Sequence, residues 1–188
     1  MKNEKLISLL PLKTRRLIIR PTSVEDIDML LKMDKQEITQ AFLGGIKNKT
    51  REERIAFLEK KANKFKEGCV GSLTVCLKDG TPIGFTGLSI DEGNNNAEIS
   101  YIFDYDYCNK GYCTEACEKL LSVGFTKLKL NRIFADTIDG NNSSRRVLEK
   151  LGFMLEGVRR EAAYNSNSKE YNDFLDYGIL KNEYKSSK

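Results

Sequence analysis

The sequence contains no histidine. The side chain that most often serves as a general base near neutral pH is therefore missing, which excludes histidine triads and histidine metal sites. Acid or base work must come from other groups. The five cysteines, Cys69, Cys76, Cys108, Cys113 and Cys117, form no Cys-x-x-Cys pair, and their odd number argues against a disulfide framework. Cys113 and Cys117 are four apart on an expected helix, yet without further ligands beside them they read as buried free thiols, and no metal is expected. No apolar run approaches the roughly 20 residues needed to cross a bilayer. The N-terminal cluster LISLLPL is too short, and too broken by Ser8 and Pro11, for a signal peptide. A cytoplasmic protein with no membrane partner is the expectation.

What is present suits one compact domain. At 188 residues and 21.4 kDa, with 40% apolar and 31% charged residues, the chain can bury a continuous core and is too evenly mixed for a disordered tail. A single domain over 1–188 is expected, with a loose segment over 1–12 and a polar tail at 185–188. The formal charge of +4 fits weak attraction to anionic ligands and demands nothing stronger. The densest basic stretch, KKANKFK from Lys60 to Lys66, carries Ala62 and Phe65 at helical spacing. It reads as a solvated helix face, so no direct nucleic-acid contact is expected.

Periodicity gives the order of elements. RRLIIRP from Arg15 is a short apolar run stopping at Pro21, as a strand would. Ser23 precedes Val24, Ile27, Leu30 and Leu31, a capped amphipathic helix. Thr50 and Glu53 form a capping-box pair opening a second helix through Ile55, Leu58, Ala62 and Phe65. From Val70 to Leu77 the pattern is strand-like. Asp79-Gly80 predicts a tight hairpin into Ile83 to Ile90, and a third strand runs from Ala97 to Phe103, completing an antiparallel meander. Gly111 opens a helix through Ala116, Leu120, Leu121 and Leu128, followed by the strand RIFADT from Arg132. Asn141 and Asn142 can cap a helix containing Val147, Leu148 and Leu151, with Gly152 just past its end. Strands near Phe153 to Arg159 and Phe174 to Leu180 finish the chain. The predicted fold is an α/β, mixed-sheet arrangement ordered β-α-α-β-β-β-α-β-α-β-β.

The stretch AEISYIFDYDYCNKGYCTEACEKLL, from Ala97 to Leu121, carries the chemistry. A strand ends, a short turn with Gly111 follows and a helix begins, so unpaired backbone N–H groups at a positive dipole end converge on one place. That arrangement can hold an anion. It lacks the Lys-Ser/Thr ending of a P-loop and the spaced glycines of a dinucleotide fingerprint, which weakens nucleoside triphosphate and nicotinamide readings. Taken alone, one glycine before a helix is more often a plain turn.

Three segments in order resemble the GNAT superfamily of N-acetyltransferases, most closely its RimJ/RimL-like branch acting on protein N-terminal amines. The family's turn, Gln/Arg-x-x-Gly-x-Gly/Ala, is matched by Cys108-Asn109-Lys110-Gly111-Tyr112-Cys113 followed by Thr114-Glu115-Ala116. NNSSRRVLEKLGF, from Asn141 to Phe153, is similar to the branch's Asn-x-x-Ser helix closing on Glu-Lys-Leu-Gly-Phe, and RRLIIRP is the third match. Cys108, Asn109 and Cys113 depart from the family pattern. A turn that works through backbone N–H groups tolerates the first two, whereas the Cys113 side chain is placed to crowd a phosphate.

The resemblance implies acetyl-CoA as co-substrate and direct acetyl transfer to an amine. The turn Asn109, Lys110, Gly111, Tyr112, Cys113 and Thr114 would then hold pyrophosphate, and backbone groups of Ile102, Phe103 and Asp104 would pair with pantetheine. Asn141 would contact coenzyme A, and the strand ending at Phe103 would splay from RIFADT. It further implies Glu98 as base, directly or through water, and Ser144 as proton donor to the departing thiolate. Against these stand plainer readings, an exposed strand carboxylate and a first-turn helix hydroxyl. Tyr101, Tyr105, Tyr107 and Tyr112 could line a cleft or simply pack. Cys113 lies at a helix N-terminus but has no histidine partner, so covalent catalysis is not expected. The second helix and the loop AFLGGIKN are expected to form the acceptor wall.

An α-amino group, with an ordinary pKa of about 7.7–8.0, is already partly neutral near pH 7, whereas a lysine amine at about 10.4 needs more help. This favours a protein or peptide N-terminus, a ribosomal protein among the possible partners. The alternatives are a polyamine or aminoglycoside-like acceptor, or a non-catalytic acetyl-CoA-binding or ribosome-interacting module. Oligomeric state, including a homodimer, stays open.

Overall fold

The computed structural model describes residues 1–43, 48–68, 71–165 and 168–185. Its elements are α1 (Lys2–Ser8), β1 (Leu12–Lys13), β2 (Leu17–Pro21), α2 (Ile27–Asp34), α3 (Glu37–Gln40), α4 (Arg51–Lys66), β3 (Leu73–Leu77), β4 (Pro82–Asp91), β5 (Asn96–Phe103), α5 (Tyr112–Ser122), β6 (Arg132–Ile138), α6 (Asn142–Lys150), β7 (Met154–Asn165) and β8 (Glu170–Leu180). The eight strands form one sheet in the order β1-β2-β3-β4-β5-β6-β8-β7. Its neighbours pair antiparallel except β5 and β6, which are parallel. No described helix is long and apolar enough to cross a membrane.

Alternation along β5 sends Ala97, Ile99, Tyr101 and Phe103 to one face and Glu98, Ser100 and Ile102 to the other. The first set joins the larger core, with Ala116, Cys117, Leu120 and Leu121 of α5 and Leu148 of α6. Ile102 joins a smaller cluster on the opposite face, where Ile27, Met29, Leu30 and Met33 of α2 meet Leu58 of α4 and Phe85 of β4. The sheet is thus covered on both faces at the Ile102 end of β5, and a site there lies between two helical layers.

Local chemistry explains most boundaries. The Thr50 hydroxyl accepts from the Glu53 amide at 3.2 Å and the Glu53 carboxylate accepts from the Thr50 amide at 2.8 Å, closing the capping box that starts α4. α6 ends where Gly152, at φ +85, turns the chain so that the Phe153 amide reaches the Leu148 carbonyl. α5 continues past Ser122 into one π-turn, Val123–Lys127.

Several expectations are corrected. The segment before Lys13, expected to be loose, contains α1 and the short β1. Leu6 is fully buried in the core, and the Glu92 carboxylate accepts from the Lys2 amide at 2.7 Å at the helix start. Two adjacent apolar residues, Leu6 and Ile7, on a seven-residue helix leave too little periodicity to recognise in sequence. Of the Asp79-Gly80 pair, only Gly80 has positive φ. The Gly80 amide bonds to Leu77 O, so the hairpin closes on a three-residue loop rather than a two-residue one. α3 adds one helical turn within the first connection, and the last two strands are longer than the sequence pattern suggests. Of the strand start at Val70, Val70 itself lies outside the described residues, as do Cys69 and, in the polar tail, residues 186–188.

Candidate active site

β5 and β6 ladder only where Asn96, Ala97 and Glu98 face Arg132, Ile133 and Phe134. Beyond Glu98, β5 stays on β4 through Phe103 while β6 follows β8, and the two strands part. A cleft of about 360 Å³ opens at this fork, with Tyr101, Ile102 and Phe103 on one side and Asn141, Ser143 and Ser144 on the other.

The phase of the β4 ladder decides which backbone groups face the gap. The Asp104 amide donates to Ile83 O at 3.0 Å, and the Ser100 carbonyl accepts from the Thr86 hydroxyl across the same strand pair. In an antiparallel ladder hydrogen-bonding residues alternate, so Asp104 and Ile102 spend their main-chain groups on β4, while Tyr101 and Phe103, past the last rung with β6, aim theirs into the gap. Of the expected trio Ile102, Phe103 and Asp104, Phe103 alone presents its amide and carbonyl there. Tyr101 is the second such position.

The gap leads to the N-terminus of α5. Asn109 at φ +58 and Gly111 at φ +77 are both left-handed, which swings the chain so that successive amides converge. Gly111 caps the helix without a side chain, and the amides of Tyr112, Cys113 and Thr114 have no intrahelical acceptor. An added Cβ at Gly111 would lie 3.3 Å from the Arg16 guanidinium. Arg16 braces this turn: it donates to the Glu115 carboxylate at 2.6 Å and to Lys110 O at 2.9 Å, and stacks 4.5 Å over the Tyr112 ring. Glu115 also accepts from the Thr14 hydroxyl and the Arg16 amide. Burial pushes the Glu115 carboxyl up, but these bonds outweigh it and hold it below the ordinary carboxylate range. The Arg16–Glu115 brace is not visible in sequence, where 99 residues separate its ends; the only signal is that Arg16 and Glu115 both fall within matched segments.

Lys110 does not line the cleft. Its ammonium donates to Asp106 O at 2.8 Å. Asp104 is 2% exposed and anchors α2 and the following turn to the end of β5, accepting from Lys32 and from the Gln36 amide, each at 2.7 Å. Burial raises its carboxyl, and the Gln36, Lys32 and Asp106 bonds overcome that and lower it. Asn141 caps α6 by accepting from the Ser144 amide at 3.1 Å.

The Ser144 hydroxyl lies 2.8 Å from the Tyr101 hydroxyl across the cleft. Burial, reinforced by Cys117, pushes the Tyr101 phenol far up, so it stays protonated and can donate. Glu98 sits on the other face of the sheet, at the last paired rung before the fork, and does not line the cleft. Burial and the nearby Asp136 raise its carboxyl while Arg159 opposes them. The structure therefore brings Ser144 to Tyr101, not to Glu98. Tyr105, Tyr107 and Tyr112 also line the cleft. The Cys113 thiol faces Cys117, and this neighbour together with burial pushes it well above a free thiol, the opposite of an activated nucleophile. The four cysteines among the described residues are all free. Of the expected acceptor wall, Phe42 and Leu43 line the cleft and residues 44–47 lie outside the described residues.

Comparison with known proteins agrees with this geometry. The Acetyltransferase (GNAT) domain family matches residues 16–154. The N-acetyltransferase p20 of Bacillus licheniformis is 32% identical over 182 residues, covering 92% of this chain and 97% of p20. YdaF of Bacillus subtilis (strain 168), named as a ribosomal N-acetyltransferase, is 36% identical over 113 residues, 60% of this chain and 61% of YdaF. A spermidine N(1)-acetyltransferase of Escherichia coli (strain K12) is 31% identical over 80 residues, 42% of this chain and 43% of that protein. Among solved structures, a GNAT-family acetyltransferase from Bacillus anthracis superposes with a TM-score of 0.79 at 28% identity, covering 91% of this chain and 98% of that one. With the family match reaching from β2 into β7, this chain belongs to the GNAT superfamily of N-acetyltransferases.

Proposed function

We propose that the protein transfers the acetyl group of acetyl-CoA to the α-amine at a peptide or protein N-terminus. The observation that carries this reading is the fork between β5 and β6 leading to the amides around Gly111. A gap edged by main-chain donors and acceptors, ending in unpaired helix amides, suits an extended amide-bearing chain that terminates in a pyrophosphate. In this reading the amides of Tyr112, Cys113 and Thr114 hold pyrophosphate, with Asn109 and Gly111 shaping the turn. Phe103 and Tyr101 pair with the pantetheine amides, and Asn141 contacts the cofactor while capping α6. Ile102, Asp104 and Lys110 act by position: Ile102 and Asp104 hold the strand to β4, and Lys110 supplies the carbonyl that Arg16 grips.

Acetyl transfer from a thioester forms one C–N bond and breaks one C–S bond, so a proton must leave the amine and another must reach the departing thiolate. Ser144, backed by the protonated Tyr101, is placed to supply the second. In this reading Glu98, from the opposite side of the sheet, takes the first. Along a strand, Glu98 and Tyr101 are about 10 Å apart, more than one bridging water spans, so a chain of waters relays that proton. Acid and base thus flank the gap from its two faces.

The partial match to a spermidine acetyltransferase favours a polyamine as the second reading. The face around Glu98 does not decide against it: Arg159 holds Asp136 at 2.6 Å and Asp176 at 2.8 Å, and one guanidinium offsets only one of these two carboxylate charges. An acceptor panel with free-thiol detection tests the choice. Turnover on N-terminal peptides, a ribosomal-protein N-terminus among them, is expected. Turnover on spermidine or an aminoglycoside and on no peptide would reverse the order. Thermal stabilisation by acetyl-CoA without turnover on any acceptor would mark a binding module.

A further inference from the structure

A second cavity, of about 210 Å³, lies on the opposite face of β5 beneath α2 and α4. It meets the cleft at the end of the strand, since Ile102 and Leu43 line both. Leu30, Met33, Leu58 and Phe85 give it apolar walls on one side, Thr22, Ser72, Gln40 and the charged Asp34, Arg54 and Lys61 also line it, and the space is the size of one large aliphatic or aromatic side chain.

One polar group inside it is unexplained by the fold. Gln40 is 3% exposed, and its amide nitrogen donates to Met33 O at 2.9 Å. A carbonyl can only accept, so the atom facing Met33 is the nitrogen and the side-chain oxygen is the one left over. Among the described residues that oxygen has no hydrogen-bond partner. Buried acceptors left in this state are uncommon, and here a donor from a ligand would complete it.

The charges at the rim narrow the ligand further. Asp34 is buried and gripped by the Arg54 guanidinium through two bonds, so it offers no charge to a cation. Lys61 lies over the Phe57 ring and makes no ion pair among the described residues. The rim is therefore net positive and repels a polyamine.

We infer that this cavity is the acceptor's side-chain subsite: it takes the apolar first side chain of a peptide whose α-amine lies in the cleft, and Gln40 accepts the N–H of the following peptide bond. The inference rests on the N-terminal reading above and adds to it a preference for an apolar first residue.

Matched peptides beginning with Leu, Met, Ala, Asp or Lys, and a Leu peptide N-methylated at its second residue, are assayed with saturating acetyl-CoA. The wild-type chain is expected to favour Leu and Met over Ala, Asp and Lys by about 10-fold or more in kcat/KM. The N-methylated peptide is expected to lose about 5-fold through KM. Gln40→Met should erase that 5-fold difference, which a merely structural glutamine would not do. Leu30→Trp should flatten the preference for Leu and Met while stabilisation by acetyl-CoA shows the chain is folded; the wild-type comparisons stand without it. Peptides acetylated with no dependence on the first side chain, or a Gln40→Met variant that still rejects the N-methylated peptide, would overturn the subsite and leave the N-terminal reading intact. Turnover on no peptide together with turnover on spermidine would overturn both.

Discussion

The two sides of β5 are built from different materials. On the α5 side, the surfaces that meet the cofactor in the proposed function are mostly main chain: the outward groups of Tyr101 and Phe103 and the first amides of α5. On the α2 and α4 side, the surface that would meet the acceptor in the subsite proposed above depends on the side chains of Leu30, Met33, Gln40, Leu58 and Phe85. A site made of backbone survives changes of side chain, so Cys108 and Asn109 can replace the family's usual residues without dismantling it. A site made of side chains can be retuned by any one of them.

The comparison breaks first where the cleft does depend on side chains, at the hydroxyl pair. Ser144→Ala should lower kcat by about 100-fold, the scale of a positioned proton donor, with acetyl-CoA binding nearly unchanged. Undiminished turnover would return Ser144 to the first turn of α6. Next comes the backbone itself. Gly111→Val puts a branched side chain at φ +77 and against Arg16, and is expected to weaken acetyl-CoA binding by about 30-fold, read by calorimetric titration. A tenfold smaller loss would mean the turn does not hold the anion.

Glu98→Gln should cost about 10-fold near neutral pH. A carboxylate base works only when ionised, and burial raises the Glu98 carboxyl, so the wild-type rate falls as pH drops through that raised value. In the variant this acid limb disappears, leaving the ionisation of the acceptor amine. An identical rate and profile would reject Glu98 as base. The smallest effect concerns the joint between the two sides. Asp104→Asn should cost about 1 kcal/mol by denaturant titration at pH 7. The folded Asp104 carboxyl is lowered, so its contribution is fully present above the unfolded value of about 3.9 and is lost as pH falls through the lower folded value. The variant should therefore show a flatter stability profile across that acid range.

Legibility in the sequence follows the same division. The turn at Gly111, the capping box at Thr50 and the cap at Asn141 are local patterns, and each is found within a few residues of where it was expected. The fork between β5 and β6 follows from family likeness, because no local pattern reports where a strand leaves its neighbour. Long-range contacts left no local pattern: the Arg16–Glu115 brace, the Lys32–Asp104 tie and the Tyr101–Ser144 pair join residues 99, 72 and 43 apart. Glu98 and Ser144 are both identifiable by resemblance, yet only alternation along β5 shows that they lie on opposite faces. Gln40 carries no sequence signal, since its meaning depends on which atom Met33 occupies.

A crystal structure with acetyl-CoA bound tests the central claim most directly. The pantetheine arm should lie between β5 and β6 and bond to the main chain of Tyr101 and Phe103, with pyrophosphate on the amides of Tyr112, Cys113 and Thr114. A cofactor seated elsewhere, or β5 and β6 drawn together along their whole length, would contradict it.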